Sequence, residues 1–369
     1  MAAKSPKKGK GDRRRKKNVP EERGGPEVGR SSGKSAAPAR ESAAGHAASH
    51  PGRHSPEALK AHSRGRLSLF LRAAGLPFWP ASILPVLIGS TLPFWLRPEG
   101  FAFSWVRMVE ALVGVLLLHA GADLTNEYFD YLADLKNPRR GGLAGGSGAL
   151  PDGLLKPGTV LRALIICYAG ATVIGIHLNM VLPGNFVLLV GALGALGGFF
   201  YTAPPLKLSY RGLGEVILGP CFGLLPVLGA YYAQAGEVGW RVVMAGLPST
   251  FAVALILWVN EIVDYEPDKE AGKRNLVVRM GTRAAGRGGV IVLTLLVFAS
   301  LFAAVFTASL IPLSLVAILA FGLARTIVVD MWQHHDDPEK LGEAQVSALK
   351  LNLAFGIIIA GSALAALGA

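Results

Sequence analysis

Cysteine is nearly absent from this chain of 369 residues, which contains only Cys167 and Cys221. The two lie alone in separate apolar stretches, so a disulfide framework, a C-x-x-C pair and a haem-attachment motif are excluded. Charged side chains are also scarce, at 17% of the sequence, whereas 51% of the residues are hydrophobic. This balance excludes an ordinary soluble fold and a coiled coil.

The charges are unevenly distributed along the chain. Residues 1–66 contain 17 Lys and Arg against 6 Asp and Glu, whereas residues 67–369 contain 20 against 19. The first segment has almost no large apolar side chains, so it cannot bury enough surface to offset the entropy of ordering. We therefore predict a disordered basic arm over 1–66 and one domain over 67–369. The arm is interpreted as a solvated tail or as a contact for anionic membrane lipids, and no nucleic-acid partner is expected.

Apolar runs of membrane-spanning length recur after residue 66. A helix needs about 20 such residues to cross the hydrocarbon core of a bilayer. The sequence predicts an all-α membrane protein with nine transmembrane helices. The predicted spans cover 76–96, 105–125, 160–182, 185–203, 212–233, 241–263, 288–307, 309–329 and 348–368.

The connections between the predicted spans differ strongly in charge. The even-numbered connections and their flanks hold sixteen Lys and Arg, against three in the odd-numbered connections. Cytoplasmic loops of membrane proteins carry an excess of these residues. We therefore predict an integral, multi-pass protein of the cell membrane with a cytoplasmic N-terminus.

Two segments share the acidic motif N-E-x-x-D-Y-x-x-D. The first motif occupies 126–134 and the second 260–268, at the cytoplasmic ends of predicted spans 2 and 6. This repetition indicates an internal structural repeat. Spacings of four place the Asn and both Asp of each copy along one helical face. We expect each helix to end at its last Asp, since Pro267 disfavours helix at the residue before it.

Crowded carboxylates need a compensating partner. A charge at mid-membrane costs at least about 2.5–3.5 kcal/mol, so such a cluster persists where it faces a wet cavity and binds cations. An all-oxygen ligand set favours a hard ion such as Mg²⁺, which fills its remaining positions with water and phosphate oxygens. Two such ions would form a receptor for a diphosphate. The alternative is that each motif is only a polar helix end exposed to the cytosol.

Basic and glycine-rich loops accompany the two motifs. Lys207 lies between predicted spans 4 and 5, Arg139 follows the first motif, and Lys273 and Arg279 follow the second. Basic groups beside a diphosphate would stabilise the departing anion, although positive-inside topology explains such residues equally well. The glycine-rich segment 141–148 is interpreted as a flexible loop able to fold over the cavity.

These motifs resemble those of the UbiA superfamily of intramembrane aromatic prenyltransferases. The resemblance covers roughly 67–369 and includes the tyrosine-led loop from Tyr201 to Glu215. The stretch Gly272-Lys-Arg-Asn-Leu-Val-Val-Arg-Met-Gly281 is most similar to the branch that prenylates 1,4-dihydroxy-2-naphthoate for menaquinone. One departure is Gly75, which stands where the family often has an arginine, with Arg72 one turn earlier.

The resemblance implies a bundle of nine transmembrane helices around a central cavity open to the cytoplasmic side. It also implies Mg²⁺-dependent transfer of an isoprenyl group from a polyprenyl diphosphate to a small aromatic acceptor. The residues expected to hold Mg²⁺ and to be catalytic are Asn126, Asp130, Asp134, Asn260, Asp264 and Asp268. The residues expected to bind substrate are Arg72, Arg139, Tyr201, Lys207, Lys273 and Arg279.

Two other functions remain open from the sequence. A prenyltransferase of the same type could use another quinone ring or a lipid alcohol as its acceptor. An ion-coupled transporter can also combine internal repeats with intramembrane carboxylates. Transporters place such sites near the membrane midplane, whereas both motifs here lie at span ends on the same side, which favours the transferase.

Overall fold

The computed structural model describes residues 65–135, 137, 146–308 and 313–365. The predicted basic arm lies almost wholly outside these residues, as do Arg139 and residues 141–145 of the glycine-rich loop. Within the described residues the regular secondary structure is helical throughout, in agreement with the prediction.

Ten α-helices of eight residues or more form the described part of the chain. They are α1 (Arg66–Ala73), α2 (Pro80–Thr91), α3 (Trp105–Phe129), α4 (Pro157–Val181), α5 (Phe186–Thr202), α6 (Leu225–Ala235), α7 (Trp240–Val263), α8 (Val290–Ala308), α9 (Leu313–His334) and α10 (Gly342–Ala365). Shorter helical segments connect them: Leu76–Phe78, Pro93–Leu96, Tyr131–Asp134, Leu208–Arg211, Gly214–Gly219, Pro220–Leu224, Tyr265–Glu270, Leu276–Met280, Thr282–Ala284, Ala285–Gly289 and Pro338–Lys340.

Six helical segments of the described residues are long and apolar enough to cross a membrane. They are Leu76–Leu96, Trp105–Phe129, Pro157–Val181, Gly214–Ala235, Trp240–Val263 and Thr282–Thr307. They coincide with predicted spans 1, 2, 3, 5, 6 and 7. The three other predicted spans fall on α5, which is shorter, and on α9 and α10, and a crossing by these three helices stays a prediction.

Helices that are neighbours in the chain are also neighbours in space. Each helix from α2 to α9 contacts the next one, and α10 returns to contact α2, so the series closes into a ring. The motif-bearing helix α7 is the most deeply buried of the six candidate spans. The largest cluster of buried apolar side chains surrounds it and includes Leu255, Met331 and Phe355.

Glycines allow these helices to approach closely. The hydrophobic effect contributes little to helix association in a membrane, because lipid tails are as apolar as the helix side chains. Close packing between small residues therefore matters more than in soluble proteins. A Cβ at Gly89 would lie 2.3 Å from the backbone oxygen of Val227. A Cβ at Gly223 would lie 2.5 Å from the backbone nitrogen of Thr250. Larger side chains at these positions would force α2 away from α6, and the segment before α6 away from α7.

Both motif-bearing helices end at the first of the two aspartates of their motif, not at the last one as expected. Asp130 follows α3 with φ −90° and ψ 0°. Asp264 follows α7 with φ −93° and ψ 12°. The two copies therefore share a backbone bend as well as a sequence, which supports the predicted internal repeat.

Each motif continues beyond this bend in a short helix. These are Tyr131–Asp134 and Tyr265–Glu270, and the two segments contact each other. Pro267 does not prevent the second short helix, because it lies in the first turn, where a backbone N–H has no helical acceptor. The bends bring the two halves of the repeat together at one end of the bundle.

Candidate active site

The two acidic motifs line a single cavity of about 260 Å³. The cavity lies between the ends of α3 and α7, and described residues of the loops that follow them also line it, among them Asn137, Ser147 and Lys273. The motif residues that line it are Asn126, Glu127, Asp130, Asp134, Asn260, Glu261, Asp264 and Asp268. All six residues predicted to hold Mg²⁺ thus face the same space.

Lys273 joins the two motifs directly. Its Nζ lies 2.9 Å from Oδ2 of Asp130 and 3.0 Å from Oδ1 of Asp268. Burial alone would lower the pKa of the Lys273 ammonium, but the two carboxylates raise it well above its ordinary value. A positive charge therefore stands between the motifs, and the carboxylates are close enough to share one cation.

Asp130 has a second partner in the loop between α5 and the segment before α6. The hydroxyl of Tyr210 donates a hydrogen bond of 3.0 Å to Oδ1 of Asp130. Burial, followed by the charge of Asp130, raises the pKa of this phenol, so it stays a donor. Tyr210 was not among the predicted site residues, although it belongs to the tyrosine-led loop.

Two asparagines orient carboxylates of the second motif. Nδ2 of Asn275 donates to Oδ2 of Asp268 at 2.9 Å, while Oδ1 of Asn275 accepts from the backbone N–H of Val278 and caps the following short helix. Nδ2 of Asn137 donates to Oδ1 of Asp264 at 3.2 Å. Asn137 follows the first motif, so this bond is a further link between the two halves.

Asp134 lies against the end of the glycine-rich loop. A Cβ at Gly146 would lie 2.5 Å from its Oδ2, so only glycine permits this approach. Burial raises the pKa of Asp134 to about 8, against the lowering effect of Lys273 and with a further increase from Asp130. The carboxyl group is therefore mostly protonated at neutral pH and half protonated near pH 8 when only Lys273 compensates the cluster.

The glutamate of the first motif holds a loop in place. Glu127 accepts hydrogen bonds from the hydroxyl of Ser147 at 2.7 Å and from the backbone N–H of Leu150 at 3.1 Å. In the second half, Glu215 accepts from the backbone N–H of Leu276 at 2.5 Å. The loop after each motif-bearing helix is thus fastened by a buried glutamate, which leaves the aspartates facing the cavity.

The other predicted residues divide into two groups. Arg72 and Tyr201 line the cavity, and Asn260 is fixed there by a hydrogen bond of 2.9 Å from Gln345. Lys207 and Arg279 are not among the lining residues. The Nζ of Lys207 lies 4.9 Å from the centre of the Tyr210 ring. Arg279 donates to two backbone oxygens in neighbouring loops, so its contacts here are structural.

His119 and Asp123 also line the cavity, although they were not predicted as site residues. They precede the first motif within α3, at positions that continue its polar face inward. The sequence signal was available, since an ionisable residue inside a membrane span is a functional candidate by default. Neither residue belongs to the repeated pattern, so the motifs alone did not indicate them.

The residues around the cavity fit a divalent ion. The donors are carboxylate and amide oxygens, which Mg²⁺ prefers, and the Lys273 ammonium already occupies a cation position between two of them. Within the described residues, no three acidic or histidine side chains converge closely enough to hold a metal by themselves. A Mg²⁺ ion that takes one or two carboxylates and completes its shell with phosphate and water needs no such convergence.

A second cavity of about 100 Å³ adjoins the first. His119, Ala122 and Phe222 line both cavities and form the boundary between them. The second cavity is mainly apolar and extends between α3, α4, α5 and α6. Glu110 also lines it, and its Oε1 lies 2.9 Å from Nδ1 of His177.

Comparison with known proteins identifies similar sequences. Residues 82–354 match the model of the UbiA prenyltransferase family. The 1,4-dihydroxy-2-naphthoate octaprenyltransferase of Bacillus subtilis is 28% identical over 56% of this chain and 63% of its own length. The protein of the same name from Mycobacterium tuberculosis is 30% identical over 61% of this chain and 75% of its own length.

The fold is also similar to that of a solved structure. A UbiA homologue from Archaeoglobus fulgidus, determined with GPP and Mg²⁺ bound, superposes with a TM-score of 0.58 at 18% sequence identity. The match covers 79% of this chain and 99% of that structure. At this identity the similarity concerns the fold.

Proposed function

Because the chain belongs to the UbiA prenyltransferase family, we propose that it transfers an isoprenyl group from a polyprenyl diphosphate to an aromatic acceptor, with Mg²⁺ as cofactor. The favoured acceptor is 1,4-dihydroxy-2-naphthoate, which the names of the bacterial relatives contain. The observation that carries the proposal is the Lys273 ammonium within 3.0 Å of a carboxylate from each motif. Two acidic clusters that share one cation can jointly bind one diphosphate.

Six residues would share two Mg²⁺ ions, one at each motif: Asn126, Asp130, Asp134, Asn260, Asp264 and Asp268. Bound Mg²⁺ would neutralise the diphosphate and so favour breakage of the allylic C–O bond. Asn137 and Asn275 keep two of the carboxylates in position by hydrogen bonds. Lys273 and Arg72 supply fixed positive charge at the cavity and can donate to the diphosphate oxygens.

The isoprenoid tail requires an apolar site beyond the diphosphate. The second cavity supports this role, because it adjoins the first at Phe222 and is mainly apolar. We propose that the tail enters this cavity while its diphosphate remains between the motifs.

The position of the reaction in the membrane follows from the same proposal. Nine crossings with a cytoplasmic N-terminus would place both motifs, and the cavity mouth, on the cytoplasmic side of the cell membrane. The sixteen-to-three distribution of basic residues between the two sets of connections supports this orientation. A water-soluble acceptor would then reach the cavity from the cytoplasm, while the isoprenoid stays in the membrane.

The test uses purified protein with Mg²⁺, a polyprenyl diphosphate and 1,4-dihydroxy-2-naphthoate. We expect a prenylated product and equimolar pyrophosphate, both abolished by EDTA. Asp130→Asn and Asp264→Asn should each lower the transfer rate by at least about 10²-fold, the scale of removing one electrostatic contact to a transition state. Glu266→Gln is the matched control, since Glu266 is exposed in the second motif and does not line the cavity.

Three outcomes separate the candidate functions. Near-normal transfer by both aspartate variants would contradict the metal assignment. Transfer to a hydroxybenzoate or a lipid alcohol, but not to the naphthoate, would change the acceptor and retain the reaction. Absence of any metal-dependent pyrophosphate release would contradict the transferase and favour the ion-coupled transporter.

A further inference from the structure

Three polar side chains, Ser82, His119 and Asp123, form a chain further inside the helix bundle than the acidic motifs. Oγ of Ser82 in α2 lies 2.6 Å from Nδ1 of His119 in α3, within hydrogen-bond distance. Nε2 of His119 lies 3.0 Å from Oδ2 of Asp123, one turn further along the same helix. Ser82 and the His119 ring are almost fully buried, whereas the Asp123 side chain is 30% exposed and lines the cavity.

The surroundings hold this group in one arrangement. The edge of the His119 ring packs on Phe222, with 4.7 Å between ring centres. Gly75 makes room for the carboxylate, because a Cβ there would lie 1.5 Å from Oδ2 of Asp123. A bulky or basic side chain at position 75 is therefore incompatible with Asp123 in this position.

One part of this carboxylate is accessible from the cavity. Oδ2 lies 3.0 Å from Nε2 of His119 and next to Gly75, and it is buried. The exposed part of the Asp123 side chain, which lines the cavity, therefore excludes Oδ2 and leaves the other carboxylate oxygen for a ligand. An ionised carboxylate accepts hydrogen bonds, so a hydroxyl group of a ligand in the cavity can donate to this oxygen.

Asp123 lies at the depth where an acceptor ring is needed. It precedes Asp130 by seven residues, which corresponds to about 10 Å along the helix axis. A diphosphate bound between the motifs, with its tail in the second cavity as proposed above, would place its allylic carbon on the side of Asn126 and Asp123, which line the first cavity. An aromatic ring that attacks this carbon must lie next to it, beside the wall formed by Asp123.

We propose that Asp123 binds a hydroxyl group of the aromatic acceptor and accepts its proton, and that His119 and Ser82 position the carboxylate. This inference rests on the proposed function and adds to it the group that activates the acceptor. A hydroxylated ring is the chemical class that such a site recognises, because an ionised carboxylate only accepts hydrogen bonds and a ring hydroxyl group donates one. An acceptor without a ring hydroxyl group would offer this carboxylate no donor.

The proton transfer fits a balanced reaction. The hydroxyl proton moves to Asp123, and the electron pair of its O–H bond strengthens the ring as a nucleophile. A ring carbon forms the new bond to the allylic carbon, whose C–O bond breaks, and that electron pair leaves with the diphosphate. Where the attacked carbon carries a carboxylate, loss of CO₂ returns an electron pair to the ring oxygen, which recovers the proton from Asp123.

The decisive variant is Asp123→Asn, which preserves the shape of the side chain and removes its basicity. We expect the transfer rate at saturating acceptor to fall by about 10²–10⁴-fold, the usual effect of losing a general base. The Mg²⁺-dependent binding of the polyprenyl diphosphate, measured without acceptor, should change less than about threefold, since this residue lies outside the metal site. Asp130→Asn should lose both properties.

The pH profile distinguishes a base from a structural residue. In the Asp123→Asn variant, transfer should rise about tenfold per pH unit until the acceptor hydroxyl ionises in solution. The wild-type protein should not show this slope. Arg72, Glu127 and Lys273 line the same cavity and are unchanged, so the difference would belong to Asp123. His119→Gln should lower kcat by a smaller factor and keep the wild-type shape of the profile.

Asp330→Asn is the control, because Asp330 is an acid of α9 that does not line the cavity. Transfer by Asp123→Asn within about threefold of wild type, with the same pH profile, would overturn the inference and leave the proposed function intact. Failure of the wild-type protein to transfer to, or to bind, any hydroxylated ring, despite binding the diphosphate, would overturn both.

Discussion

The ammonium of Lys273 lies 2.9 Å from the carboxylate of Asp130, although the two residues belong to opposite halves of an internal repeat. Each side chain is largely buried. Lys273 therefore supplies, from within the chain, the positive charge that the two motifs require. Because a metal ion would compete for the same carboxylates, the stability of the protein and its metal binding are linked through this one contact.

Replacing Lys273 with methionine should destabilise the protein most when Mg²⁺ is absent. Removing one partner of a buried ion pair costs about 3–5 kcal/mol, because the other charge is left uncompensated. Mg²⁺ together with a diphosphate should restore much of that loss by neutralising the same carboxylates. Thermal unfolding in detergent, with EDTA or with Mg²⁺ and a diphosphate, measures the difference.

Lys269→Met provides the comparison for this variant. Lys269 is exposed, and its Nζ lies 3.9 Å from Glu266, so its loss should change the melting temperature little in either condition. An equal loss of stability by Lys273→Met with and without Mg²⁺ would show that the lysine does not substitute for the metal.

The protonation of Asp134 should make Mg²⁺ binding depend on pH. Burial raises the pKa of this carboxyl group to about 8, from an ordinary value of 3.8. Protons therefore compete with Mg²⁺ at neutral pH, and affinity should increase as the pH rises from 6.5 to 8.5. The thermal shift caused by Mg²⁺, measured across this range, should grow with pH.

The metal-free protein should show the opposite trend in stability. A raised carboxyl pKa means that the folded state binds the proton more tightly than the unfolded state. The contribution of Asp134 is therefore complete below about pH 4 and is lost as the pH rises toward 8. Asp134→Asn should flatten both pH trends, and an unaltered pH dependence in this variant would exclude Asp134 as their source.

Glycine at position 75 should be required for activity and not only for backbone conformation. Gly75 has φ +77°, and a Cβ there would meet the Asp123 carboxylate. Gly75→Ala should lower the transfer rate by at least about tenfold, because the carboxylate that we assign as a general base is displaced. The rate with 1,4-dihydroxy-2-naphthoate measures this effect.

Gly65→Ala separates the two contributions at position 75. Gly65 also has a positive φ of +84°, but a Cβ there has nothing within 4 Å. Alanine is strained at the positive φ of either position, so both variants should be less stable than the wild-type protein. Only Gly75→Ala also disturbs the cavity. Similar rates in the two variants would contradict the steric explanation.

Filling the second cavity should shorten the isoprenoid that the protein accepts. Gly191 lines this cavity, and a Cβ there would meet no atom within 4 Å. Gly191→Leu should lower kcat/KM for an octaprenyl donor by at least about tenfold relative to a geranyl donor, the scale on which apolar pockets discriminate chain size. Competition between the two diphosphates measures the ratio directly.

Gly322→Leu is the corresponding control on α9. Gly322 is exposed, and a Cβ there likewise meets no atom within 4 Å, but it does not line either cavity. Its donor preference should equal that of the wild-type protein. An unchanged preference in Gly191→Leu would mean that the tail follows another path.

The lengths of the spans show what an apolar pattern can predict. Predicted span 2 ended at 125, because Asn126 begins a polar segment, whereas α3 continues to Phe129. The polar residues remain helical because their side chains face a cavity and not lipid. A hydropathy pattern shows where side chains stop facing lipid. It does not show that the helix continues where its side chains face a polar cavity instead.

The acidic part of the candidate site was predictable, because the same residue types recur at the same spacing in two motifs. The basic residues of the site were harder to predict, because their positive charge was the only evidence for their role. The repeated pattern correctly brought the motif aspartates to one cavity, but it did not distinguish Lys273, which enters the cavity, from Arg279, which binds backbone oxygens outside it. Whether a basic side chain enters the cavity depends on the conformation of its loop, which the sequence pattern does not give. Asp123 was missed because it lies outside the repeated pattern, and because its neighbour in space, Gly75, precedes it by 48 residues in the sequence.

The shared bend at Asp130 and Asp264 has an electrical consequence. It terminates α3 and α7 at the cavity, so the carbonyl ends of two long helices point toward the same space. Each such end carries about half a negative charge, so the pair adds on the order of one further negative charge without any side chain. Backbone polarity alone would thus draw a cation to the junction of the two repeats, and the carboxylates fix where it rests.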